Sequence, residues 1–364
     1  MKAMTSDEEV LSISSLAPPP QHLFAMRSHD EEENNNEPSL TRIVRETEIA
    51  EEFSKNGFAI LSQALPTNIL AEWRSFADEY FQLCFEWLHK LGHIRAPGHQ
   101  FSAQNNTNNA DMTGTKHGQE YTLGLGAKNG FREIVMRSPG RYELSLLHFL
   151  DQTNAALESA ANIYITIPDT SRILQLLDPI LPNLLGKQNN GEDLTAATTS
   201  PATEQRRLKL CHLSLIVATP GSVDQGWHAD GGHLSVTEHL PCHCFNVFIP
   251  LQDIPLDMGP TEFRPGGHYL TRNLAPMMLA AKCRKTLRKP VWPAQAFGDV
   301  VLFDYRVLHR GRANYTDCNR NVLVFTFCEP WFEDILNFPK RSMIDKPCDG
   351  DLGHDEDKDT RVGS

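Results

Sequence analysis

Gln225-Gly226-Trp227-His228-Ala229-Asp230-Gly231-Gly232 is the stretch from which the fold is read. On an extended chain, residues two apart point the same way. His228 and Asp230 can therefore offer one nitrogen and one carboxylate oxygen to a single metal ion. The third ligand must come from another strand, and His309 is the best candidate. It follows Asp299-Val300-Val301-Leu302-Phe303-Asp304-Tyr305, an apolar strand opened by Gly298 that runs into a polar loop. The 81 residues from His228 to His309 leave room for several intervening strands. Two histidines and one carboxylate on one side of an iron(II) ion leave three coordination positions open. Two of these suit a chelating keto acid and one suits dioxygen.

Outward from the motif the texture is β. Residues 213–218, 244–251, 299–303 and 321–327 read as strands, punctuated at Pro220-Gly221, Pro255, Gly259-Pro260 and Pro265-Gly266-Gly267. Many short strands with turn signals argue for a sandwich or barrel. Upstream the pattern is more helical. Ile49 and Phe53 before Gly57 suggest a short helix with a glycine stop. Phe58-Ala59-Ile60-Leu61 reads as a strand, and a long helix follows with Thr67 as its cap. Ile69, Leu70, Trp73, Phe76, Tyr80 and Phe81 give that helix an apolar face, which is core. Residues 130–137 suggest a strand or tight turn, and 142–164 and 171–185 suggest helices. No internal repeat is present. A single domain is expected over 41–340, with surface insertions near 97–120 and 186–205. Disordered tails are expected at 1–40 and at 341–364, the latter acidic.

Composition sets outer limits. Hydrophobic residues make up 40% of the chain, enough for a sizeable core. The net charge of −12 gives no electrostatic reason to bind nucleic acid or an anionic membrane, and a small-molecule substrate is expected instead. Eight cysteines in 364 residues do not make a disulfide scaffold, and they read as reduced core thiols. Cys242-His243-Cys244 lacks the second ligand pair of a zinc site and reads as structural. There is no secretory signal, no apolar stretch of spanning length and no C-terminal peroxisomal tripeptide, so the expected compartment is the cytoplasm. The oligomeric state is left open.

Arg320 stands eleven residues after His309, at the head of an apolar strand. An arginine there can pair bidentately with the far carboxylate of a keto acid. These residues together resemble the phytanoyl-CoA dioxygenase family of iron(II)- and 2-oxoglutarate-dependent oxygenases. His228-Ala229-Asp230, the distal His309 and Arg320 match its pattern. Gly259-Pro260-Thr261-Glu262-Phe263-Arg264-Pro265-Gly266-Gly267-His268 is similar to its internal turn, and residues 51–65 to its N-terminal entry. The resemblance covers roughly residues 47–335. It implies a mainly β fold, a double-stranded β-helix (jelly roll, cupin-like) with flanking helices. It also implies a dioxygenase that consumes 2-oxoglutarate and O2, releases succinate and CO2, and hydroxylates its substrate. Asp230 favours hydroxylation, because halogenating relatives carry a small residue there. Gly311 stands where some relatives have serine, and Gly267 where serine is common in the turn. Asn246 is assigned to the C1 carboxylate of the keto acid.

Gln225 and Trp227 are expected at the pocket mouth, and Arg132, with Arg137 and Arg141, as a clamp for an anionic substrate. His233 and His268 read as turn residues, His212 and His243 as satisfied β residues, and Asp299 as a turn stabiliser. His117 has no assignable partner. The competing expectation is a metal-binding cupin-like isomerase or a non-catalytic binding protein, neither of which needs Arg320.

Overall fold

A computed structural model describes residues 40–94, 123–150, 164–185, 208–235, 237–269, 288–335 and 337–345, with a few isolated positions between 115 and 159. The expected tails and the insertions near 97–120 and 186–205 lie outside the described residues except at their margins, as does His117. At the C-terminal margin Ser342 and Met343 are buried, and both hydrogen-bond to Glu133, so the packed core runs past 340.

Helix α1 (Leu40–Asn56) ends at Gly57, whose φ of 83° lies in the left-handed region that glycine adopts without steric cost. Strand β1 (Phe58–Leu61) follows, then α2 (Thr67–Lys90). Pro66 occupies the cap of α2 in extended geometry, so Thr67 is the first helical residue and not the cap. A short hairpin joins β2 (Thr115–Lys116) and β3 (Gln119–Glu120); a longer one joins β4 (Ile134–Ser138) and β5 (Arg141–Ser145). The helix expected over 142–164 is therefore a strand at its start, followed by one turn, α3 (Leu147–Leu150). Helix α4 (Ser171–Leu177) also ends early, because Pro179 and Pro182 interrupt the helix expected to reach 185. The remaining strands are β6 (Lys209–Ala218), β7 (Cys244–Pro250), β8 (Thr261–Phe263), β9 (Val300–Asp304), β10 (His309–Gly311) and β11 (Arg320–Cys328).

Seven strands form the main antiparallel sheet, in the order β1-β9-β7-β11-β6-β5-β4. A smaller sheet pairs β10 with β8 and is widened by bridges from His228 to His309 and from Val291 to Phe263. The two sheets make a double-stranded β-helix. Alternation along the main-sheet strands divides their labour. Leu323, Phe325 and Phe327 of β11, Leu213, Leu215 and Val217 of β6, and Tyr142 and Leu144 of β5 join the apolar core under the helices. Trp73, Tyr80, Phe81 and Phe85 of α2 complete that core. Each such aromatic contributes about 1.5–3 kcal/mol by leaving water. The alternate residues face inward, where Arg320, Val322, Val324, Thr326, Ile216 and Arg141 line a cavity. Phe58 stacks on Phe263 at 4.6 Å and ties the small sheet to the main one. No described helix is long and apolar enough to cross a membrane.

Candidate metal centre and its cavity

His228 and His309 are antiparallel partners, each backbone N–H donating to the other's carbonyl at 3.1 and 2.9 Å. The His228 segment is extended but pairs through this single bridge, so it is less of a strand than the sequence suggests. The pairing brings the two rings to 4.5 Å between centroids. Asp230 Oδ1 lies 3.8 Å from His228 Nε2 and 3.7 Å from His309 Nε2. One ligand atom from each of the three residues falls within 4.8 Å of the others, the only such cluster among the described residues. Cys242, His243 and Cys244 form no second one.

The three candidate ligands are held from behind. His228 Nδ1–H donates to the Gly226 carbonyl at 2.9 Å and His309 Nδ1–H to that of Val307 at 3.0 Å. That tautomer leaves both Nε2 lone pairs facing Asp230. Burial pushes the pKa of His309 down, although Asp230 opposes this, so the ring is the neutral imidazole a metal requires. Asn246 Nδ2–H donates to Asp230 Oδ2 at 2.7 Å and leaves Oδ1 toward the histidines. Thr326 Oγ1–H in turn donates to Asn246 Oδ1 at 2.6 Å. Asn337 donates to the Asp230 carbonyl at 3.1 Å and to Tyr305 Oη at 2.6 Å, and Tyr305 donates to Asp334. The donor set, the tautomers and the oriented carboxylate all fit a two-histidine, one-carboxylate iron site.

The triad opens onto a cavity of about 720 Å3 that Arg320 also lines. Arg320 is 3% exposed, donates through Nη1 to the Gly259 carbonyl, and has no acceptor for Nε. Burial lowers its pKa to about 10, so it stays charged at neutral pH. It has no carboxylate partner among the described residues.

The other sequence candidates separate. Asn246 lines the cavity, but its amide is directed at Asp230 and its carbonyl at Thr326, which differs from the expected contact with a keto-acid carboxylate. Gln225 lines the cavity, and its Oε1 accepts from Gly311 N–H at 3.0 Å. Trp227 stands at the same wall between the guanidinium groups of Arg264 and Arg310, at 4.7 and 4.9 Å. Arg132 is corrected: it lies outside the cavity, paired with Glu133 at 2.8 Å, its backbone N–H bound to Arg341. It precedes β4, whereas Arg137 and Arg141 lie on the strands whose inner face lines the cavity. His268 Nε2 hydrogen-bonds to the Ser54 carbonyl and Asp299 accepts from Gln63 and Ala296, as turn-stabilising residues do. Thr326, Tyr305 and Asn337 escaped the sequence reading, because nothing local marks them as neighbours of Asp230.

A family model described as Phytanoyl-CoA dioxygenase (PhyH) matches residues 53–322. Among solved structures, the chain is similar to AviO1 from Streptomyces viridochromogenes Tue57, at 16% identity and TM-score 0.45 over 79% of this chain and 97% of that one. It is similar at 16% identity and TM-score 0.43 to SnoN, a non-heme alpha-ketoglutarate-dependent epimerase from nogalamycin biosynthesis, over 79% and 84% of the two chains. HygX from Streptomyces hygroscopicus, solved with nickel and 2-oxoglutarate bound, is similar at 14% identity and TM-score 0.41, over 79% and 88%. Those likenesses are too remote to bear on the reaction, whereas the family model spans most of the folded chain, including all three triad residues. The chain belongs to the phytanoyl-CoA dioxygenase family of non-haem iron, 2-oxoglutarate-dependent oxygenases.

Proposed function

We propose that this protein hydroxylates a small organic molecule at the expense of 2-oxoglutarate and O2, releasing succinate and CO2. His228, Asp230 and His309 would hold the iron(II) ion, and Arg320 would bind the far carboxylate of the keto acid. The observation that carries this reading is Arg320, a charged guanidinium buried in the same cavity as the triad with no anionic partner among the described residues. A buried unpaired cation costs several kcal/mol, and a ligand carboxylate removes that cost. A metal-dependent isomerase or a passive binding module of the same fold has no use for such a group.

Iron with a bound keto acid couples decarboxylation of that acid to oxidation of a substrate C–H bond. The chain's own residues set the conditions. The Asn246 hydrogen bond fixes which oxygen of Asp230 faces the metal, and the backbone acceptors of both histidines fix their rings. Ile216, Phe248, Val322 and Val324 give the cavity apolar walls that exclude water and orient an organic substrate. Anaerobic titration of the protein with Fe(II) and then 2-oxoglutarate is expected to develop the weak visible charge-transfer band of the chelate. Succinate should then form in air when a small-molecule substrate is supplied. A protein that binds Fe(II) but develops no band, and releases no succinate across a substrate screen, would overturn the reading.

A further inference from the structure

Arg320 is not the only cation on the inner face of the main sheet. Arg141 on β5 and Arg320 on β11 both stand opposite Ala218 of β6, so they point to the same face with Cα atoms about 10 Å apart. Arg141 is 2% exposed and lines the same cavity. Its hydrogen bonds go to neutral acceptors, namely Ser138 Oγ at 3.2 Å and the carbonyls of Val223 at 3.4 Å and Arg312 at 2.7 Å. Its Nε has no acceptor. Asp224, the carboxylate whose charge reaches it, is already engaged by Arg310 at 3.9 Å and Arg312 at 3.4 Å. Burial, and secondarily the charge of Arg320, push its pKa well down. Two neighbouring guanidinium groups without an anion repel one another, and an anion between them relieves both.

Gly311 is what admits Arg141 to this position. It lies two residues after His309 on β10, so its side-chain direction is that of a metal ligand. A Cβ at 311 would stand 2.7 Å from Arg141 Cζ, 2.9 Å from Arg141 Nη1 and 2.8 Å from Gln225 Oε1. The guanidinium thus fills the volume that a side chain at 311 would take, beside the strand that carries the metal site.

We propose that Arg141 is a second anchor for the far carboxylate of 2-oxoglutarate, closing on it together with Arg320, and that glycine at 311 is the residue that makes room for it. The inference rests on the reading above that this cavity takes 2-oxoglutarate, and it assigns the selection of a dicarboxylic over a monocarboxylic keto acid to a pair of arginines.

The test is calorimetric titration of the full chain, loaded with Co(II) without oxygen, against 2-oxoglutarate and against 2-oxobutyrate, which has the same keto-acid head but no far carboxylate. Arg141→Met is expected to weaken 2-oxoglutarate binding about 10- to 100-fold, the loss of charge-assisted hydrogen bonds, while leaving 2-oxobutyrate unchanged. Arg141→Lys should recover part of the loss. Gly311→Ala should also weaken 2-oxoglutarate selectively, because the guanidinium must move. Equal losses for both keto acids, or no loss for either, would show Arg141 to be structural and overturn the proposal. Should Arg141→Met fail to fold, the Gly311→Ala and Arg141→Lys titrations decide by the same contrast. A parent protein that binds Co(II) but not 2-oxoglutarate would instead overturn the underlying reading, and this proposal with it.

Discussion

At the metal end of the cavity, Asp230 has one side-chain oxygen held by Asn246 and the other turned toward two histidines whose Nδ1 atoms are tied to backbone carbonyls. At the arginine end, Arg141 and Arg320 are almost fully buried, more deeply than His228 or Asp230, yet each has an Nε without an acceptor and neither meets a carboxylate among the described residues. The first end is organised by the protein itself, through hydrogen bonds that exist before any ligand arrives. The second is incomplete without an anion. Groups that the chain satisfies internally define a shape, and groups that it leaves unsatisfied in a cavity indicate the charge of what the cavity receives.

The contrast predicts separable losses. Asp230→Ala removes one of the three proposed ligands and is expected to abolish measurable Fe(II) or Co(II) binding, a change of at least ~100-fold, with turnover lost. Substitution of a group behind the ligands would cost only about 10- to 100-fold. Arg320→Ala should leave Co(II) affinity within about twofold of the parent while weakening 2-oxoglutarate by roughly 30- to 1000-fold, as when one partner of a buried charge pair is removed. Calorimetry with the metal alone, then with the keto acid, reads both. Parallel loss of metal and keto acid in Arg320→Ala would mean that the two ends are one structural unit.

The metal end was also the more legible in the sequence. His228 and Asp230 are two residues apart, and the single rule of strand alternation is enough to pair them. The strands at 58–61, 213–218, 244–251, 299–303 and 321–327 were equally plain, because both faces of the main sheet are buried and its strands read as apolar runs. Arg141 was harder. The stretch from 142 reads as helical in the sequence, and on a helix Arg141 and Glu143 do not share a face. Only the pairing with β6 shows Arg141 opposite the same residue as Arg320. Thr326 reaches Asn246 across 80 residues of chain and Asn337 reaches Asp230 across 107, distances over which no local pattern operates.

Asn246 offers a smaller and more discriminating test of the metal end. It hydrogen-bonds the Asp230 carboxylate and is not one of the three proposed ligands, so Asn246→Ala should lower metal affinity by about 10- to 100-fold without abolishing binding. It also leaves Thr326 Oγ1 without its acceptor, so a stability loss of about 1–3 kcal/mol is expected in chemical denaturation. If metal affinity is unchanged and only 2-oxoglutarate binding falls, Asn246 belongs to the keto acid, as its position on β7 first suggested, and the division between the two ends moves.

Burial without a partner does not by itself mark a site, and Glu52 on α1 shows the difference. Burial alone raises its pKa from 4.5 to about 7, and among the described residues it has no hydrogen-bond or ion-pair partner. Unlike the two arginines it stands on a helix away from the cavity lining, and among the described residues no second cation or anion converges with it. Its effect should appear in stability only. The folded state holds the proton more tightly than the unfolded chain, so its contribution is full below pH 4.5 and is lost as pH rises through about 7. Glu52→Gln keeps the shape and removes the charge. It is expected to melt with the parent near pH 4.5 and a degree or two above it at pH 8, on the order of the shift that a partly screened charge produces in a domain of this size. Metal and 2-oxoglutarate affinities should stay the same at both pH values. An equal melting difference at the two pH values would assign the effect to packing. A change in 2-oxoglutarate affinity would mean that the electrostatics of the arginine end extend to α1, and that the unsatisfied cations answer to more of the chain than the cavity around them.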